Sequence, residues 1–174
     1  MNFLITSLLP KEIAAVELTM VHPDAHARFD ATARSYEYHI VHKKDVFAVD
    51  TAYWVKKELD VEKMNEGAKI LLDYKNFKCF SRSRTDVRTY NCDIAHAYWE
   101  ETSNGLVFHI KADRFLRNMV RAIVGTLLQI GQGKMQVQDM HEIIKSESRS
   151  EAGASVPAHG LFLTRLEYPK RIFV

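Results

Sequence analysis

RSYEYHIVH, Arg34 to His42, is the stretch on which the fold turns. Tyr36, Tyr38, Ile40 and His42 fall on one side of it, and Ser35, Glu37 and His39 on the other. A period of two is that of a β-strand, here with one polar face. The same pattern recurs downstream. Cys92 to Glu100 and Gly105 to Ala112 predict a hairpin, with Ser103-Asn104-Gly105 as the turn. Leu161 to Tyr168 predicts a last strand. Ala14 to Val21 predicts another, closed by the turn-like His22-Pro23-Asp24. Thr51 to Val55 is short and apolar, and its state is open.

Between these runs the period changes to that of helices. Asp60 is placed to cap a helix over Val61 to Leu72, with Val61, Met64, Ala68 and Leu71 as its buried stripe. Asp113 is placed to cap a long helix from Arg114 to Ile130, with Gly131 as the stop and Phe115, Met119, Val120, Ile123, Leu127 and Leu128 on its apolar side. A third helix is expected over Val137 to Lys145. The sum is an α+β fold, a largely antiparallel sheet with helices packed on one face. The 174 residues, 47% of them hydrophobic, suit a single domain over 1–174. No internal repeat or low-complexity tract interrupts it.

Charge is nearly balanced, at +2 from 24 basic and 22 acidic side chains, so bulk charge does not call for nucleic acid. Its placement says more. Arg82, Arg84 and Arg88 crowd into SRSRTDVRTY, Ser81 to Tyr90. Arg114, Arg117 and Arg121 stand at i, i+3 and i+7, one stripe of the expected long helix. Either the stripe is a solvated face beside acids, or it meets a polyanion. Arginine reaches phosphate bidentately, and such contacts position a nucleic acid without reading it. Tyr36 and Tyr38 are likewise open to two readings, base-stacking rings or ordinary sheet packing.

Other chemistries lack their residues. There is no HExxH, no phosphate-binding glycine loop and no GxSxG. His22 and His26, and His39 and His42, have no cysteine pair beside them, so no metal is expected. The two cysteines, Cys79 and Cys92, fit no zinc or redox spacing and point to a reducing compartment. The opening MNFLITSLLPKEI lacks a basic start and a cleavage site, and no run approaches 18 apolar residues; neither signal peptide nor membrane span is expected.

Several long stretches together carry a resemblance. HARFDATARSYEYHI (His26 to Ile40), FLRNMVRAIVGTLLQIGQGK (Phe115 to Lys134), PAHGLFLTRLEYP (Pro157 to Pro169) and LLPKEI (Leu8 to Ile13) occur in the order seen in the tRNA pseudouridine synthase A family. The chain resembles the C-terminal domain of that family with part of the segment joining its two domains. The resemblance implies isomerisation of uridine to pseudouridine at positions 38 to 40 of the tRNA anticodon arm, by a cytoplasmic homodimer without metal or organic cofactor. An aspartate attacks the target nucleotide, a tyrosine stacks on the flipped base, and a basic residue pairs with the aspartate.

Carried over residue by residue, Tyr36 matches the tyrosine and Arg121 the basic partner. Arg28 and Arg34 lie in the tyrosine's motif and are expected near phosphate. With Arg82, Arg84, Arg88, Arg114 and Arg117 they form the expected RNA-binding set. The family's aspartate sits in a GRTDxGVHA motif before the tyrosine, and this chain begins after that point. Arg84-Thr85-Asp86 spells part of the motif but follows the tyrosine and continues Val87-Arg88. Asp86 is therefore read as a look-alike with a structural role. The nucleophile is expected outside the chain, which alone would be inactive. A noncatalytic RNA-binding module is the alternative.

Overall fold

A computed structural model describes residues 2–82 and 87–174, except for the side chains of residues 2–4. The chain divides into two compact units, a small one formed by the first 31 residues with Tyr168–Val174, and a large one over Thr32–Glu167.

In the small unit, α1 (Asn2–Leu8) is followed by extended chain. Thr6 Oγ1 accepts from the Ala15 N–H at 3.1 Å. The strand expected over Ala14 to Val21 does not form; only Val21 bridges, to Phe173. A strand exists through its ladder to a neighbour, and here residues 172–174 pair only with residues 20–22, while no described partner runs alongside the rest. Its would-be apolar side stays in solvent, with Val16 87% and Met20 76% exposed.

The large unit is built on a five-stranded sheet. β1 (Ala33–Val41) lies between β4 (Gly105–Ala112) on one edge and two strands on the other. β5 (Leu161–Glu167) runs antiparallel along residues 33–38, and β2 (Tyr53–Trp54) pairs parallel with Ile40 and Val41. β3 (Ile94–Glu101) closes the far edge beside β4. The alternation in β1 holds: Tyr38 and Ile40 are buried, while Glu37 and His39 pair on the other face at 3.0 Å.

The buried face is covered by helices. α2 (Val61–Ile70) begins where Asp60 accepts the Lys63 N–H, and Met64, Ala68 and Leu71 make its stripe. α3 (Met119–Gly131) is buried along almost its whole length, and α4 (Asp139–Ser146) adds Met140, Ile143 and Ile144. These meet Tyr38, Phe108, Ile110 and Trp99 from the sheet in one core. Each large apolar side chain so buried contributes roughly 1.5–3 kcal/mol.

α3 departs from expectation at both ends. Residues 114–118 are not helical. Asp113 Oδ1 accepts the N–H of Arg114 and also that of Asp93, both at 2.7 Å, which ties the turn to the sheet. Asn118 then takes a left-handed conformation, φ 70°, and the helix starts after it. This turn buries Leu116 and lays Phe115 against Tyr36, which a helix starting at Arg114 would forgo. At the far end the helix runs through Gly131, and Gly133, at φ +67°, supplies the stop.

The arginine stripe therefore does not exist. Arg114 and Arg117 precede the helix, and only Arg121 rides on it.

Candidate active site

α3 presents its first turns to the segment 152–157, which has no regular structure yet is tied along its length. The Gly153 N–H donates to Thr126 Oγ1 at 2.9 Å. Gly125 has no room for a side chain, because the carbonyl oxygen of Ala154 occupies the place of its Cβ. Asn118 Nδ2 donates to Ser155 Oγ at 2.5 Å. Val156 donates its N–H to the Arg121 carbonyl at 3.2 Å and accepts from Arg121 Nε at 2.6 Å. Arg149, just before this segment, sends one terminal nitrogen to the carbonyls of Ala152 (3.3 Å) and Gly153 (3.1 Å) and the other to Ser155 Oγ (2.9 Å).

These bonds frame a hollow of about 540 Å³ lined by Arg82, Asn118, Arg121 and Arg149. Among the described residues no carboxylate forms an ion pair with Arg121 or Arg149. Three of the described residues lining the hollow are arginines, a side chain whose guanidinium is chemically suited to anionic oxygen, carboxylate or phosphate. With Nε of Arg121 committed to Val156, its planar group is held in one orientation. Among the described residues no hydrogen bond or ion pair engages its terminal nitrogens.

Tyr36 stands on β1 on the same side as buried Tyr38. Its half-buried ring meets Phe115 edge-on, centroids 5.1 Å apart. Tyr38 donates its hydroxyl to the Pro157 carbonyl at 2.8 Å. Burial raises the Tyr38 pKa, aided by Tyr53 and opposed by Arg121, which places Arg121 within electrostatic reach of that hydroxyl. Tyr36 is not among the described residues lining the arginine hollow. It borders a separate hollow of about 320 Å³ with His96, His109 and Arg165. No described contact joins the Tyr36 ring to the Arg121 guanidinium.

The other predicted arginines scatter. The Arg82 N–H donates to the Arg117 carbonyl at 3.0 Å, which brings the Ser81–Arg82 end of the polar run to the entry of α3. Arg34 donates to the Asp113 carbonyl at 2.6 Å, and Arg114 reaches the Thr89 carbonyl at 3.4 Å. Arg88 and Arg117 are exposed. Arg28 belongs to the small unit and is exposed there. Arg84 and Asp86 lie outside the described residues.

Among the described residues no three His, Cys, Asp or Glu side chains gather as metal ligands, and no helix is long and apolar enough to cross a membrane. Both thiols are free and buried. Burial pushes Cys79 up to about 12 and Cys92 up to about 11. Neither is a nucleophile at neutral pH.

Residues 67–169, which include β3, β4, α3, the tied segment and β5, match the family model described as tRNA pseudouridine synthase. The chain belongs to that family. It is 50% identical over 95% of its length to the tRNA pseudouridine synthase A of Parabacteroides distasonis, covering 66% of that protein. It is 51% identical to the Bacteroides fragilis protein of the same name, again over 95% of the chain and 66% of the relative. Against that of Porphyromonas gingivalis the figures are 46%, 98% and 68%. The chain thus spans about two thirds of the length of these curated relatives.

Within this pseudouridine synthase family chain, two residues of the hollow went unread in the sequence, Asn118 and Arg149. Asn118 fell inside the expected helix from Arg114 to Ile130 and was given no role. Arg149 stands alone between serines in a loop, with no periodicity to mark it. The sole signal available was the small-residue run from Ala152 to Ser155, which lets a backbone approach a helix closely.

Proposed function

We propose that the full-length protein isomerises uridine to pseudouridine in the anticodon arm of tRNA, acting as a homodimer. The N1–C1′ bond of the nucleotide breaks and a C5–C1′ bond forms; the proton leaves C5 and N1 regains one. No cofactor enters that balance. The observation that carries this reading is the hollow at Arg121. A guanidinium fixed through Nε to Val156, without an acid partner among the described residues, suits an incoming carboxylate.

In this reading the carboxylate is the nucleophile, and it comes from outside these 174 residues. A nucleophilic carboxylate must stay ionised in a partly dry site. A guanidinium beside it lowers its pKa and aims an oxygen. Tyr36 supplies a flat, rigid ring for the extruded base at low entropic cost. Phe115, set edge-on to it, braces that ring. Arg34, Arg82, Arg88, Arg114 and Arg117 supply contacts to the RNA backbone, with Arg28 in the small unit.

The test is product formation on a tRNA transcript. The 174-residue chain alone is expected to give no pseudouridine, and the full-length protein to give it. Arg121→Met in the latter is expected to slow turnover severely, leaving a small residual rate. Pseudouridine from the isolated chain overturns the placement of the nucleophile. Full-length protein that binds tRNA without turnover leaves only an RNA-binding module. Retained turnover in Tyr36→Phe removes any need for the hydroxyl and leaves the ring as a stacking surface.

A further inference from the structure

Arg149 lines the same hollow as Arg121. Three of its five N–H donors, however, go to the loop: two carbonyls and one hydroxyl, at Ala152, Gly153 and Ser155. Ser155 Oγ is also the acceptor for Asn118, and the next residue, Val156, holds Arg121 by both its carbonyl and its N–H. The path from Arg149 to Arg121 is therefore the backbone of residues 152–156, gripped at one end by a guanidinium fork and gripping a guanidinium at the other. That segment has no regular secondary structure; its shape rests on these bonds, on those of Gly153 to Thr126 and of Tyr38 to Pro157, and on the close approach at Gly125.

We propose that Arg149 is a positioning residue for Arg121: by fixing the Ala152–Ser155 turn it sets the Val156 carbonyl, and so the direction in which the Arg121 guanidinium faces an incoming carboxylate. The proposal rests on the function proposed above. The planar fork is what the role needs: its two terminal nitrogens reach different acceptors in one rigid plane, whereas the three donors of a lysine ammonium all radiate from a single nitrogen. A direct ligand for an RNA phosphate, by contrast, needs chiefly the charge, which lysine also carries.

The experiment uses the full-length protein, with Arg149→Met, Arg149→Lys and Ser155→Ala. Two quantities are read: the Arg121 Nε–H signal in ¹⁵N-arginine NMR, assigned by its loss in Arg121→Lys, and single-turnover pseudouridine formation beside the Kd for tRNA. Both Arg149 variants are expected to move the Arg121 signal and speed its exchange with solvent. Each is expected to slow the chemical step about 100-fold, the scale of a misplacement near 1 Å, with Kd changed less than about twofold. Arg121→Met/Arg149→Met is expected to be no slower than Arg121→Met alone, as for residues that act as a unit. Ser155→Ala, which keeps every charge, is expected to give a smaller change in the same direction. An unmoved Arg121 signal in the Arg149 variants, rescue by lysine, or a Kd that weakens in step with the rate overturns the inference. Wild-type protein that makes no pseudouridine sinks the underlying function instead, while the Arg121 signal still decides the coupling.

Discussion

Gly125 and Ala154 meet so closely that a Cβ on the glycine would overlap the alanine's carbonyl oxygen. The neighbouring Gly153 N–H bonds Thr126, one residue further along α3. This pair of contacts, together with the bonds from Arg149 and Asn118, holds the loop carrying Val156 where Arg121 reaches it. Gly125→Ala is expected to push that loop outward and destabilise the fold by about 1–3 kcal/mol or more, as overpacking does. In a chain of this size each kcal/mol lowers Tm by about 2–4 °C. Thermal denaturation checks it, and an unchanged Tm would mean that the backbone absorbs the methyl group.

Asn118 carries two loads, a left-handed backbone and the bond to Ser155. Left-handed φ costs most side chains roughly 1–2 kcal/mol, and glycine nothing. Asn118→Gly loses only the bond, whereas Asn118→Ala loses the bond and takes on the strain. The expected order of stability in urea is wild type, then Gly, then Ala. Finding Ala equal to wild type would remove Asn118 from the account of how the site is shaped.

Both thiols should be silent in the folded protein. Burial raises Cys79 to about 12 and Cys92 to about 11, so neither ionises near neutrality. A disulfide-exchange reagent is expected to label neither until denaturant is added. The same shifts fix a pH dependence. Folding favours the protonated thiols, so their contribution is fully present below the thiol's ordinary pKa near 9 and declines as pH rises from there toward 11–12. Denaturation midpoints rising between pH 9 and 11 would contradict this.

Exposed Arg117 and Arg88 should act on RNA binding through charge alone. Replacing either by glutamine in the full-length protein is expected to weaken tRNA binding and to reduce the log–log salt slope by about 0.7–0.9, one phosphate contact each. Turnover at saturating tRNA should stay near wild type. Arg121→Gln should do the reverse, with the rate falling and the slope nearly kept. Filter binding across a salt series, beside saturating kinetics, separates the two patterns. A slope unchanged by both exposed-site variants would take this surface out of the RNA interface.

Legibility along the chain followed the range of the interaction. The β1 alternation, the β3–β4 hairpin and the Asp60 cap of α2 were plain because each is decided within a few residues. α3 was plain in its buried body and misread at its start. Asp113 has the chemistry of a cap, but its carboxylate serves Asp93 as well as Arg114, and Asp93 is distant in sequence. With that turn the arginine stripe dissolved, since a helical period means nothing for residues outside a helix. The extended run Ala14–Val21 shows the complementary error. β-like alternation is not a strand until something pairs with it.

What the order of amino acids determined by itself was the α+β class, which faces of β1 and α2 are buried, and the family to which the chain belongs. All three follow from local periodicity or from motifs read in line. The tertiary structure alone decided that Arg121, Arg149 and Asn118 share one hollow, and that Arg121 is held by Val156 and not by a neighbour on its own helix. Those contacts join residues 28 to 37 positions apart, where no sequence period reaches. They depend on how closely a loop can approach a helix, which the packing around two glycines sets.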